Sequence, residues 1–155
     1  MKSKRLTFTL EEAKKKLEGY CIYQDRCHQE IEQKLKEMRM IPEACELIIL
    51  HLIEHDFLNE ERFSKSFARG KFKIKKWGKQ RIIRELKFKN ISKYNIEMAL
   101  KEIDQEEYFN TLHDIAIKRM DSISEKDSFK KRKKVFEFLY RKGYETDLIN
   151  EVLDQ

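Results

Sequence analysis

The sequence predicts an all-α protein of tandem three-helix repeats, about three units and roughly nine helices in an elongated curved array. Three observations carry this. Only four Gly and one Pro interrupt 155 residues, 40% of them charged, a composition that suits helices with solvated exteriors. A weak internal repeat emerges when Ile31-Glu-Gln-Lys-Leu35, Ile82-Ile-Arg-Glu-Leu86 and Val135-Phe-Glu-Phe-Leu139 are stacked, their leucines 51 and 53 residues apart. Helix start and stop signals stand at matching places around each copy.

In chain order, Thr9-Leu-Glu-Glu12 has the form of a capping box and opens the first helix, since the hydroxyl accepts from an orphan backbone donor and Glu12 reaches back. Pro42 fits a helix start, where its missing N–H has no intrahelical use. Asn59-Glu-Glu supplies a capping amide and first-turn acids that favour the helix dipole. The helix it opens is expected to run to about Trp77, with Phe63, Phe67 and Ile74 on its core stripe. On the next helix Ile82, Ile83 and Leu86 point inward. Ser92 caps the helix that ends the second copy, and Gly143 suits a helix stop before Tyr144. Beyond the repeated leucines stand Ile41, Ile91 and Tyr144, each followed nine positions later by Leu50, Leu100 or Leu153. This alignment gives the first copy one extra residue and leaves Glu46 opposite Ile96 and Ile149.

These signals divide the chain into a basic N-terminal arm (1–8) and repeats at 9–57, 58–104 and 105–155. A unit of about 50 residues buries only a marginal core, so neighbouring units must share apolar surface.

Charge is concentrated in one place. From Lys65 to Asn90 the chain carries eleven Lys or Arg against one acid, Glu85, a local +10 in a chain of net +6, so the rest sums to −4. Lys65, Arg69, Lys73 and Lys76 recur at four, four and three and form a stripe distinct from the core residues. On the following helix Lys79, Arg81 and Arg84 stay in water. A merely solvated helix alternates sign and gains i,i+4 ion pairs, whereas these cations repel one another unless a polyanion supplies the countercharge. A second run, Lys130-Lys-Arg-Lys-Lys134, either extends the track through Lys131 and Lys134 or is a solvated face, because Glu125, Asp127 and Glu137 lie close by. Phe72, Trp77 and Phe88 are base-stacking platforms where exposed and core residues where buried.

Other functions find little footing. The start, Met1 to Leu6, lacks the apolar run of a secretory signal, and eighteen apolar residues never occur together, which points to a soluble cytoplasmic protein without a membrane partner. Cys21, Cys27 and Cys45 read as reduced thiols. Neither Cys21, Cys27 and His28 nor Cys45, His51 and His55 has a zinc-knuckle spacing. His51-Leu-Ile-Glu-His55 is not a zinc-protease motif, and no phosphate loop or nucleophile elbow occurs. The reading is a binding protein, not an enzyme, with no metal and no cofactor.

Three segments resemble the RecX regulators of the bacterial recombinase RecA. They are Phe57-Leu-Asn-Glu-Glu-Arg62-Phe63-Ser-Lys-Ser-Phe67-Ala-Arg69-Gly-Lys71, Trp77-Gly78-Lys-Gln-Arg81-Ile82-Ile-Arg-Glu85-Leu86 and, more weakly, Arg26-Cys-His-Gln-Glu30-Ile-Glu-Gln-Lys34-Leu35. The first unit departs from the family pattern at Gln24-Asp25-Arg26-Cys27-His28. The resemblance implies tandem three-helix repeats, no catalysis, and binding of a monomer to the RecA filament on single-stranded DNA, damping ATP hydrolysis, strand exchange and SOS induction. The filament or nucleic-acid contacts, Lys65, Arg69, Lys73, Lys76, Lys79, Arg81, Arg84, Lys131 and Lys134, are assigned from charge placement. An autonomous helix-turn-helix DNA-binding regulator is the main alternative, because three-helix units with basic faces also enter a major groove. A purely structural adaptor is a third.

Overall fold

Every regular element in the computed structural model, which describes residues 7–155, is a helix: α1 (Leu10–Tyr23), α2 (His28–Glu37), α3 (Pro42–Glu54), α4 (Glu60–Lys73), α5 (Lys79–Phe88), α6 (Lys93–Leu100), α7 (Gln105–Ser122), α8 (Ser128–Lys142) and α9 (Thr146–Leu153). The basic arm expected at 1–8 lies, through residue 6, outside the described residues.

The caps act as their chemistry requires. Thr9 Oγ1 accepts from the Glu12 N–H while Glu12 accepts from the Thr9 N–H, closing the capping box of α1. Asn59 accepts from the Arg62 N–H at 2.9 Å and Ser92 from the Asn95 N–H at 3.1 Å. Pro42 is the first residue of α3, and Gly143 ends α8 with φ 105°.

The backbone also corrects the repeat alignment. The residue four past each repeated leucine is left-handed: Arg39 (φ 58°), Asn90 (φ 61°) and Gly143 (φ 105°). After α2 and α8 the next residue bonds back to that leucine, Met40 to Leu35 at 3.1 Å and Tyr144 to Leu139 at 3.2 Å, the closing bond of a Schellman motif. Met40, Ile91 and Tyr144 are therefore equivalent, and the first copy has no extra residue. Cys45, not Glu46, stands opposite Ile96 and Ile149, and Ile48 opposite Ala99 and Val152. Ile41, placed in the repeat by the sequence, is instead 63% exposed.

Contacts divide the chain into two compact units, with the boundary inside α4 after Phe63. One runs to Phe63 and includes Lys89–Ile91; the other comprises Ser64–Phe88 and Ser92–Gln155. The first buries Ala13, Leu17, Cys21, Ile31, Leu35, Met38, Ile48, Leu52 and Leu58 in one cluster. Its link into α4 is held by Arg62, whose guanidinium donates to Asp25 at 2.8 Å, to Asp56 and to the carbonyls of Asp56 and Phe57. The second unit buries Phe72, Ile82, Leu86, Leu112, Val135, Leu139, Tyr144 and Ile149.

Two expectations for α4 fail for one reason. The helix stops at Lys73, and Lys76 turns left-handed (φ 59°), with the Trp77 N–H folding back to the Lys71 carbonyl at 3.1 Å. Ile74, expected in the core, is 78% exposed, and Phe72 is buried in its stead.

Candidate nucleic-acid interface

All nine cations nominated from sequence lie in the second unit, but they do not form one track. Lys65, Arg69 and Lys73 share a face of α4. Arg69 is neutralised by Glu102 at 3.1 Å, and Lys65 is engaged in a contact of its own. Lys76 leaves the stripe because the helix has ended. On α8, Lys134 pairs with Glu125 at 3.4 Å, and Arg132 pairs with Asp154 at 2.8 Å. Lys134 also sits eight residues before the end of α8 at Lys142, about 12 Å along the helix axis. The expectation that the cations between Lys65 and Asn90 are uncompensated is thus corrected for Arg69, while the Lys134 pair agrees with the solvated-face alternative for its run. Among the described residues, Lys73, Lys76, Lys79, Arg81, Arg84 and Lys131 make no ion pair.

Lys79 and Arg81 are less exposed than predicted, for they lie on aromatic faces. Lys79 Nζ is 4.7 Å from the ring centre of Tyr108, and the Arg81 guanidinium is 4.2 Å from that of Trp77, which Lys71 also approaches at 5.0 Å. The ring quadrupole holds each cation without cancelling its charge. Trp77 is half-buried under these cations, Phe72 is core, and Phe88, at 77% exposed, is the most open of the three candidate stacking residues.

Helix direction separates structural charge from the rest. Lys71 and Lys73 close α4, where cations favour the negative end of the dipole. Lys79 and Arg81 open α5, and Lys130 and Lys131 open α8; neither first turn contains an acid. Cations there oppose the helix dipole at about 0.3–1 kcal/mol each. The rings of Tyr108 and Trp77 offset part of this opposition for Lys79 and Arg81, and the Asp127 cap part of it in α8, but none of these contacts neutralises the charge.

The turn between α4 and α5 is fixed by groups from the third repeat. The Gly78 N–H donates to the Lys142 carbonyl at 2.8 Å and the Gln80 N–H to the Gly143 carbonyl at 2.9 Å. Tyr108 Oη accepts from the Lys79 N–H at 2.9 Å and donates to Glu145. Tyr144 Oη donates to the Lys76 carbonyl, and Lys142 Nζ to the Lys75 carbonyl, each at 2.8 Å. Burial pushes the Tyr108 phenol well above its usual range, with the bond to Glu145 adding to the rise. Lys142 is shifted down, first by burial and then by Arg81, Lys75 and Lys76. These three cations thus lie near enough to Lys142 to disfavour its charged form. Lys142 was missed in the sequence because it lies 61 residues beyond Arg81; only its place beside Gly143 in the repeat could have drawn attention to it.

The cysteines are free thiols, and among the described residues no group of three or more His, Cys, Asp or Glu is placed to hold a metal. Among the same residues no helix is long and apolar enough to cross a membrane.

Fold and charge together define a tandem three-helix-repeat protein with a basic junction between its second and third repeats. Residues 59–100 match the family model for the second three-helix domain of RecX, and residues 105–153 match the model for the third. The chain belongs to the RecX family. The Regulatory protein RecX of Clostridium beijerinckii is 29% identical over 130 residues, covering 83% of this chain and 60% of the relative. That of Clostridium botulinum (strain Eklund 17B / Type B) is 32% identical over 106 residues, 67% of this chain and 49% of the relative. The chain thus spans about half to three fifths of the length of these curated relatives. Two crystal structures, of regulatory protein RecX and of RecX from Lactobacillus salivarius, share the fold. Their TM-scores are 0.86 and 0.82, each at 23% identity over 94% of this chain and over 73% and 94% of their own.

Proposed function

We propose that this protein is a non-enzymatic regulator that binds, as a cytoplasmic monomer, the RecA filament formed on single-stranded DNA and restrains its ATPase, strand exchange and SOS signalling. The observation that carries this reading is the set of cations opening α5 against their own helix dipole without a carboxylate partner. Such charge finds its counterpart in an outside polyanion, whether acidic recombinase side chains or DNA phosphates. The three-helix repeats with boundaries near 57 and 104 supply the scaffold, and Lys73, Lys76, Lys79, Arg81 and Arg84 the contacts.

The test is DNA-dependent ATP hydrolysis by the cognate recombinase with this protein titrated in. Lys73→Glu/Lys76→Glu/Arg84→Glu changes three exposed side chains and is expected to weaken inhibition at least tenfold with helicity retained. Inhibition unchanged by a folded triple variant removes this surface from the mechanism. If about five phosphates are neutralised, log K falls with log salt at a slope of about −3.5.

A further inference from the structure

The outer side of α3 is apolar, and its own unit does not cover it. Ile48 and Leu52 turn inward and are completely buried, with Cys45 packed beside them, yet Leu47 is 54%, Leu50 51% and Ile53 43% exposed. The three recur at intervals of three and so lie along one side of the helix. A helix that is apolar all round is one that packs on both sides. The internal repeat supplies a comparison within the chain. In the register fixed by Met40, Ile91 and Tyr144, Leu47 stands opposite Met98 and Glu151, and Leu50 opposite Lys101 and Asp154. The other two repeats thus place mostly polar residues there, and their third helices, α6 and α9, have 8 residues each against 13 in α3. Packing within a three-helix unit therefore needs neither the two leucines nor the added length.

We infer that this face binds an amphipathic helix of a partner protein, one that sets Lys or Arg on either side of an apolar stripe. Glu43, Glu46 and Glu54 border the face, and among the described residues none of the three makes an ion pair. From Met40 to Glu61 the chain carries six acids and no Lys or Arg, although its net charge is +6. A partner helix with anchors at i, i+3, i+4 and i+7 covers Leu47, Leu50 and Ile53, and its flanking cations meet the bordering carboxylates. The same carboxylates repel a nucleic acid or an anionic lipid surface. They also tell against a second copy of this chain. Antiparallel pairing that brings Leu47 onto Leu50 sets Glu43 against Glu54, and parallel pairing sets each carboxylate against itself. α3 lies in the first unit and shares no residue with the basic surface proposed above.

The experiment measures anisotropy of a fluorescein-labelled peptide of about 18 residues, with Leu at i, i+3, i+4 and i+7 and Lys elsewhere, long enough to lie along α3. It is titrated with the full chain. Leu47→Ser/Leu50→Ser is expected to weaken binding at least tenfold with helicity retained, since both side chains are about half exposed. Glu46→Gln/Glu54→Gln should weaken it about threefold and lessen its salt dependence. Ile74→Ser/Tyr94→Ser and Glu106→Gln/Glu151→Gln make the same kinds of change at exposed positions of the second unit and should stay within twofold of the parent. A peptide of equal composition, its leucines scattered around the helix, should bind at least tenfold more weakly. The inference is overturned if the α3 variants bind like the control pairs or if the scattered peptide binds as well as the amphipathic one. It is also overturned if sedimentation finds a dimer of the parent that Leu47→Ser/Leu50→Ser dissolves, which gives the face to a second copy.

Discussion

Gly78→Ala tests how the second and third repeats are joined. Gly78 is buried immediately before α5, and a Cβ there would stand 2.2 Å from the Gly143 carbonyl carbon and 2.3 Å from both the Gly143 oxygen and the Tyr144 nitrogen. Those atoms are backbone, so no flexible side chain can swing away. The Gly78 backbone lacks a positive φ, so close approach alone penalises alanine. Parting the two backbones by about 1 Å, the least needed to approach van der Waals distance, stretches the bonds from Gly78 to Lys142 and from Gln80 to Gly143 beyond hydrogen-bonding range. Losing two backbone bonds at about 0.5–1.5 kcal/mol each and overpacking at about 1–3 kcal/mol gives about 2–6 kcal/mol. In urea, with an m-value of about 2 kcal/mol/M, the midpoint falls by about 1–3 M. Gly19→Ala and Gly70→Ala are the controls: both lie in helices with nothing within 4 Å, and alanine there is expected to add about 0.5–1 kcal/mol. A Gly78→Ala midpoint within 0.2 M of the parent would refute the close-packed junction.

Arg39→Gly should stabilise the first unit by about 1 kcal/mol, because Arg39 occupies the left-handed position that Gly143 fills in the third repeat; a urea midpoint at or below the parent's counts against the corrected repeat register. Burial pushes the Cys21 and Cys27 thiols up to about 11, so the folded chain keeps protons that the unfolded chain releases from about pH 9, and stability falls as pH rises from 9 towards 11. Cys21→Ala/Cys27→Ala should flatten that decline in urea midpoints, and in the native parent at pH 8 half-buried Cys45 should react with Ellman's reagent first; equal rates for all three thiols contradict the burial.

Much of the fold was legible because its signals are local. Thr9, Asn59, Ser92, Pro42 and Gly143 announce helix ends through their own backbone preferences. The leucines at 35, 86 and 139, all completely buried, mark the repeat by position. The errors arose where a local rule met a tertiary one. Periodicity carried α4 to Trp77, since lysines in a row neither stop a helix nor signal a left-handed turn. The register of the first repeat slipped by one because Ile41 is the more apolar neighbour of Met40, and only the backbone bond from Met40 to Leu35 identifies the equivalent residue.

Of the interface, the sequence could give the amount and neighbourhood of charge but not its partners. Arg69 and Glu102 are 33 residues apart and Lys134 and Glu125 nine, yet both pairs close, while Arg81 finds an indole and no acid. Lys142 stands in a mixed stretch and gives no signal by composition.

By itself the amino-acid sequence determined the helical class, the three-fold repetition and the excess of positive charge between Lys65 and Asn90, because each depends on residue type and short-range spacing. Tertiary structure alone decided which cations are neutralised and which converge with Lys142. Coulomb energy depends on distance in space, and the contacts between the α4–α5 turn and the third repeat that set those distances join residues 29 to 68 positions apart.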